Sequence, residues 1–278
     1  MPQTEEICGD NLDNNCNGQT DEDVVDKVTL SSSSVVPLKT SGKTQAEIKV
    51  SLARPATKGG CTVDLKVYPV PYSGGHNHHD VLRPHGKLNG KDSETVNFYS
   101  GETSQTVKYT SSEIAGKEEI IAKIDGKEVG KVSIDVKVPG LEPMPAYTLI
   151  YQLTGGGDRM PHHSDNHYGT KSTRENMILV ARDFYKQFKA KLGINDMSLV
   201  WGGLFDLCDT WNPADRCSLA PNRGHFSHRK GTSVDIDRNA LSQNGYIRVN
   251  RGYIEDRCRY HGKGWLVPEA TIHCEFPY

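Results

Sequence analysis

Within the run Val129–Val138, apolar and polar residues change places at every step from Val132 onward. Val132, Ile134, Val136 and Val138 fall on one face, with Ser133, Asp135 and Lys137 on the other. A period of two is the signature of a strand with one buried side. Similar short runs precede it, separated by turn residues, at Val25–Leu30, Ala46–Ala53, Cys61–Pro69, Thr95–Tyr99, Gln105–Tyr109 and Glu118–Ile124. No helical periodicity interrupts them, so residues 25–140 are expected to form a β-sandwich.

Seven strands in a little over a hundred residues correspond to an immunoglobulin-like sandwich. Pro139-Gly140 ends the pattern and begins a linker through Glu142-Pro143-Met144-Pro145. The chain of 278 residues is longer than one typical domain. Its composition divides it into a Cys/Asp-rich segment over 1–24, the sandwich over 25–140 and an α+β domain over 141–278. The expected architecture is therefore multidomain, an immunoglobulin-like β-sandwich followed by an α+β domain with an antiparallel sheet.

A formal net charge of -2 gives no electrostatic reason to propose nucleic acid or an anionic membrane as partner. No apolar run approaches the ~20 residues needed to cross a bilayer. The first residues, Met1-Pro2-Gln3-Thr4-Glu5-Glu6, lack the basic and apolar regions of a signal peptide. The seven cysteines form close couples at 8/16, 208/217 and 258/274, leaving Cys61 over, and none makes a CxxC pair. Thiols paired outside metal motifs indicate an oxidising compartment, so a secreted, periplasmic or cell-envelope location is expected.

Residues 5–24 are dense in Asp, Asn and Gly. Asp13, Asn15, Asn17 and Asp21 surround a turn at Gly18 with the oxygen-ligand offsets of a calcium loop, although Val24 stands where a bidentate acid would complete it. The Cys and Asp spacing resembles short metal-binding repeats of secreted bacterial proteins, which implies a calcium site here. A second feature is the loop Gly74–Asp80, where His76, His78 and His79 cluster, with His85 beyond. It reads as a solvated loop, as a metal site, or as a wall of the C-terminal domain's cleft.

Over 146–278, Ser172-Thr173-Arg174-Glu175 reads as a capping box. The helix it opens carries Met177, Val180, Ala181, Phe184 and Phe188 on one stripe and is expected to stop at Gly193. A strand over Met197–Phe205, a helix near Val249–Tyr260 and a final strand over Thr271–Phe276 follow. The polar run Arg159–Gly169 is a loop that could also bind a substrate carboxylate.

The chemistry concentrates in Gly224–Asp237. Gly231 permits a tight turn, and Ser233–Asp237 then alternate, with Val234 and Ile236 on one face and Asp235 and Asp237 on the other. On the last strand Ile272, Cys274 and Phe276 oppose Thr271, His273 and Glu275. If the two strands pair, Asp235 and His273 project together with His228 beside them. Two imidazoles, one carboxylate and an open position are what a catalytic zinc requires.

The string Ser227-His228-x-x-Gly231-x-x-Val234-Asp235 resembles the S-H-x-x-G-x-x-V-D motif of zinc peptidases that cut bacterial cell-wall peptides. These include D-Ala-D-Ala carboxypeptidases and penicillin-insensitive murein endopeptidase, whose fold the Hedgehog domain shares. His225 makes the string most similar to the murein endopeptidase, and Ile272-His273-Cys274 resembles the Hedgehog ending. The resemblance implies zinc held by His228, Asp235 and His273, and hydrolysis of an amide in peptidoglycan by zinc-activated water. It places Glu269 as the acid-base residue, with Glu275 as alternative, and His225 as polariser or orienter of substrate. Asp237 reads as an outer acid. Thr271 and Ala270 depart from the family's usual His and Glu, and a non-catalytic, zinc-stabilised, calcium-binding adhesion module is the alternative.

Overall fold

The computed structural model describes residues 16, 28–38, 44–57, 59–77, 83–146, 149–155, 163, 165–204, 228–266 and 272–277. The chain is mostly β, with two helices among the described residues. Contacts divide it into two compact units. The first takes described residues from Met1–Val70, Pro84–Ser112 and Lys117–Val136, and the second from Pro71–Arg83, Glu113–Gly116 and Lys137–Tyr278.

The first unit contains β1 (Val28–Ser31), β2 (Val35–Pro37), β3 (Gln45–Leu52), β4 (Cys61–Pro69), β5 (Lys87–Leu88), β6 (Ser93–Phe98), β7 (Ser104–Thr110), β8 (Gly116–Ile124) and most of β9 (Lys127–Lys137). They form a four-stranded sheet in the order β1-β3-β7-β5 and a five-stranded sheet in the order β2-β9-β8-β4-β6. Alternation sets which side chains are enclosed: Ile48 and Val50 of β3, Val63 and Leu65 of β4, Ile120 and Ala122 of β8, and Ile134 and Val136 of β9 are buried. Full burial of a Val, Ile or Leu side chain stabilises by about 1.5–3 kcal/mol. Asp125-Gly126, both with positive φ, turn β8 into β9 as a two-residue hairpin requires.

β2 and β5 have no counterpart among the expected strands, because three and two residues are too few to show a period. A buried carboxylate, Glu118, lies inside this unit. Tyr109 Oη donates to Glu118 Oε2 at 2.6 Å, and the Gly86 amide donates to both carboxylate oxygens at 3.0 and 3.1 Å. Cys61 is disulfide-bonded, so it is not the cysteine left over.

The second unit is built on β10 (Glu142–Pro143), β11 (Tyr151–Leu153), β12 (Tyr168–Gly169), α1 (Lys171–Phe188), β13 (Ala190–Ile194), β14 (Ser233–Ile236), β15 (Asn239–Ser242), β16 (Gly245–Arg248), α2 (Arg251–Gly262), β17 (Trp265–Leu266) and β18 (Ile272–Glu275). Its main sheet has the order β16-β15-β13-β14-β18-β17, and β11 joins β13 in parallel. Met177, Val180, Ala181 and Phe184 of α1 and Ile254 and Cys258 of α2 share a core with Leu192, Ile194, Val234, Ile236, Ile272, Cys274 and Phe276. The Cys258–Cys274 disulfide fastens α2 to β18.

Several local expectations are corrected here. The N-cap of α1 is Thr170, whose side chain accepts from the Thr173 amide at 3.2 Å, so Ser172 lies within the first turn. Thr170 is held in the extended conformation by its own amide, which donates to the Gly231 carbonyl. The helix ends at Phe188 because Lys189 takes the left-handed conformation and its amide bonds back to the Tyr185 carbonyl. Gly193 is instead a residue of β13, where any side chain would collide with the Asp237 carboxylate. The strand expected over Met197–Phe205 is not formed by Met197–Leu204. Those residues run irregularly, with isolated bridges at Ser198 and Gly203, while β13 takes the sheet position. Phe205 lies outside the described residues.

Candidate metal centre

β14 is hydrogen-bonded between β13 and β18, and all four of its residues are buried. In the β14–β18 register Asp235 lies opposite His273, Val234 opposite Cys274 and Ile236 opposite Ile272. The apolar pairs enter the core shared with α1 and α2. Asp235 and His273, one residue out of phase, take the other face.

His228 reaches them from a short 3-10 turn, His228–Lys230. Gly231 ends that turn with φ +70° and its amide donates to the His228 carbonyl at 3.0 Å. A side chain at Gly231 would strike Leu141, so the glycine is required for both conformation and space.

The three side chains converge. His273 Nδ1 is 2.7 Å from Asp235 Oδ1, and His228 Nε2 is 3.4 Å from Asp235 Oδ2. The two imidazoles meet edge to face with centroids 5.0 Å apart. One ligand atom from each residue lies within 4.8 Å of the others. Exposure is 1% for His228, 0% for His273 and 5% for Asp235.

Burial works against charge on Asp235 and His228. At Asp235 it raises the carboxyl, yet the hydrogen bonds and charges of His228 and His273 hold the group well below the usual carboxylate range. At His228 burial lowers the imidazole, and Asp235, with Asp196 and the Ser233 backbone, raises it above its ordinary value. The donor set is two nitrogens and one oxygen. Ions bound at about 2.0–2.2 Å in tetrahedral geometry need donors about 3.3–3.6 Å apart, so this spacing accepts a divalent ion after small side-chain adjustments.

A fourth ionisable residue adjoins the cluster, and no periodicity pointed to it. Asp196, 5% exposed, follows β13 by two residues. Its carbonyl accepts from the Asp235 amide at 2.8 Å, and the Asn195 amide donates to the Asp235 carbonyl at 2.8 Å. Asn166 Nδ2 donates to Asp196 Oδ1 at 2.5 Å, which brings part of the polar run Arg159–Gly169 to the centre. Burial pushes the Asp196 carboxyl up, and His228 opposes it.

Other expected residues have different positions. Asp237 accepts from Thr154 Oγ1 at 2.7 Å and is not part of the cluster. His76 and His163 are both buried in the second unit, with His76 Nδ1 3.3 Å from His163 Nε2. His85 lies in the first unit, its Nδ1 2.8 Å from the Gly86 carbonyl oxygen. Glu275 is half-buried. His225, Glu269, Thr271, His78, His79 and the proposed calcium ligands Asp13, Asn15, Asn17 and Asp21 lie outside the described residues.

Residues 1–22 match the family described as Cu-binding MopE, "Putative metal-binding motif". No curated protein matches the chain. Among solved structures, an immunoglobulin-like protein from Pseudomonas aeruginosa is similar at 16% identity over 40% of this chain and 91% of that one, with a TM-score of 0.25. An alkylpurine DNA glycosylase from Pseudomonas fluorescens, bound to DNA containing an abasic site analog, is similar at 12% identity over 40% of this chain, with a TM-score of 0.23. A β-glucosidase from Listeria innocua is similar at 16% identity over 40% of this chain, with a TM-score of 0.25. The chain spans 30% of the glycosylase's length and 16% of the glucosidase's. The N-terminus thus carries a metal-binding motif, and the second unit carries a separate His/Asp cluster able to hold a metal.

Proposed function

We propose that the second unit is an α+β zinc peptidase domain that hydrolyses an amide bond in bacterial peptidoglycan peptides. The observation that carries this reading is the convergence of His228, Asp235 and His273 in one buried cluster. Two neutral imidazoles and one carboxylate are a donor set suited to Zn2+ with a position left open. A bound Zn2+ would supply Lewis-acid chemistry toward the amide carbonyl and acidify a water.

The chain's own residues would do the rest. The β14–β18 pairing and the Gly231 turn fix the ligands before substrate arrives, so little reorganisation accompanies binding. Glu269 takes a proton from the attacking water and returns it to the leaving amine, and His225 orients the scissile carbonyl. The first unit is an immunoglobulin-like domain that positions the enzyme, and the N-terminal motif binds calcium. The protein acts outside the cytoplasm, consistent with the disulfides at Cys258–Cys274 and Cys61.

Digestion of purified peptidoglycan by the zinc-loaded chain, with released peptides read by mass spectrometry, tests the reading. Soluble products are expected from the wild type and none from His228→Ala. Equal products from His228→Ala, or from Glu269→Gln and Glu275→Gln alike, would overturn the assignment. A second reading, a non-catalytic extracellular binding module with zinc as a structural ion, is favoured by the N-terminal match to a metal-binding motif. Zinc binding with no cleavage of any peptidoglycan would establish it. Titration of the full chain with Ca2+ and with Cu2+, compared with Asp13→Ala, identifies the N-terminal ion.

A further inference from the structure

We propose that Asp196 is a positioning residue for the metal centre, a buried carboxylate that braces Asp235 and offsets the charge of a divalent cation held by His228, Asp235 and His273. The inference rests on the reading that these three residues bind a metal, and it adds a fourth residue that does not itself ligate.

Two observations carry it. The first is the ladder between residues 195–196 and Asp235, two 2.8 Å hydrogen bonds that place the Asp196 backbone directly against the ligand's own. The second is burial. Asp196 is 5% exposed and Asn166, which donates to it, is fully buried, so this carboxylate is built into the protein and not solvated at its rim.

A charge count gives the consequence. Ligating imidazoles are neutral and Asp235 carries one negative charge, so a divalent ion leaves the centre at plus one in a site from which water is largely excluded. An uncompensated charge there is costly. With the cation bound, an ionised Asp196 carboxylate would bring the sum to zero. Outer carboxylates that orient ligands in this way typically change metal affinity by about 10–100-fold.

The test is zinc affinity of the full chain by chelator competition, counting zinc bound in excess of that retained by His228→Ala. Asp196→Asn keeps the backbone bonds and removes the charge. It is expected to weaken binding by about 10–100-fold, while the melting temperature of the metal-free protein shifts by only a few degrees. Asp196→Glu, which restores the charge, is expected to recover most of the affinity, a rescue that a purely structural role for the shape of aspartate does not produce. Should Asp196→Asn fail to fold, Asn166→Ser, which loosens the brace and keeps the charge, is expected to weaken binding several-fold. Wild-type affinity in Asp196→Asn, or in Asn166→Ser where only that variant folds, overturns the proposal and leaves the metal reading intact. Absence of His228-dependent zinc in the wild type overturns both.

Discussion

Asp235 and His273 face each other across the β14–β18 ladder, the imidazole Nδ1 2.7 Å from the carboxylate Oδ1. The pair is fixed by backbone register, so its spacing does not depend on flexible side chains finding one another. Asp235→Asn retains the size of the side chain and removes its charge. It is expected to abolish stoichiometric zinc uptake, measured by elemental analysis after dialysis. The metal-induced rise in melting temperature, which follows from binding to the folded state alone, should vanish with it.

The disulfide between Cys258 and Cys274 closes a segment with a sequence separation of 16. Replacing both cysteines with serine is expected to cost about 2–4 kcal/mol of folding free energy, mostly through the freer unfolded chain. Urea unfolding of the zinc-free proteins measures it. His273 is the residue before Cys274, so a weaker zinc affinity should accompany the loss.

Asp183 on α1 contacts His261 of α2 at 2.7 Å and Arg257 at 3.7 Å. Burial raises its carboxyl, but His261 and then Arg257 outweigh this and leave it below its ordinary 3.8. A carboxyl lowered on folding stabilises the native state above its unfolded value, and the contribution shrinks as pH falls toward the folded one. The stability difference between wild type and Asp183→Asn should therefore be fully present at about pH 5, where the carboxylate is ionised. It should begin to close as pH drops through about 4 and disappear in stronger acid. Chemical denaturation across that range provides the measurement.

In the first unit Tyr109→Phe removes one of the donors to Glu118 without changing the packing volume appreciably. A buried carboxylate that loses a hydrogen bond costs about 1–3 kcal/mol. The urea midpoint should fall accordingly, with zinc uptake by the second unit unchanged.

The cluster was legible in the sequence because the parity of two strands determines which side chains share a face. Val234 and Ile236 on one strand and Ile272, Cys274 and Phe276 on the other mark the buried side, which leaves Asp235 and His273 together. β4 was legible for the same reason, with unbroken alternation from Cys61 to Val67. Asp196 was not, because it reaches the cluster through pairing of residues 194–196 with 235–236, and nothing in Asn195-Asp196-Met197 announces that partner. The end of α1 was misread because a lysine fills the left-handed position where glycine is the usual signal. The β15–β16 hairpin escaped notice because Asn239-Ala240-Leu241-Ser242 has little strand character of its own.

β14 lies in the interior of its sheet, flanked by a segment forty residues earlier in the chain and another that arrives almost forty residues later. Contacts so distant in sequence form slowly, after the intervening loops have closed. His228 and Asp235 are near neighbours along the chain, yet the second imidazole, His273, joins them only when β18 docks. An ion taken up at this cluster would therefore arrive late, reading a finished scaffold rather than templating it.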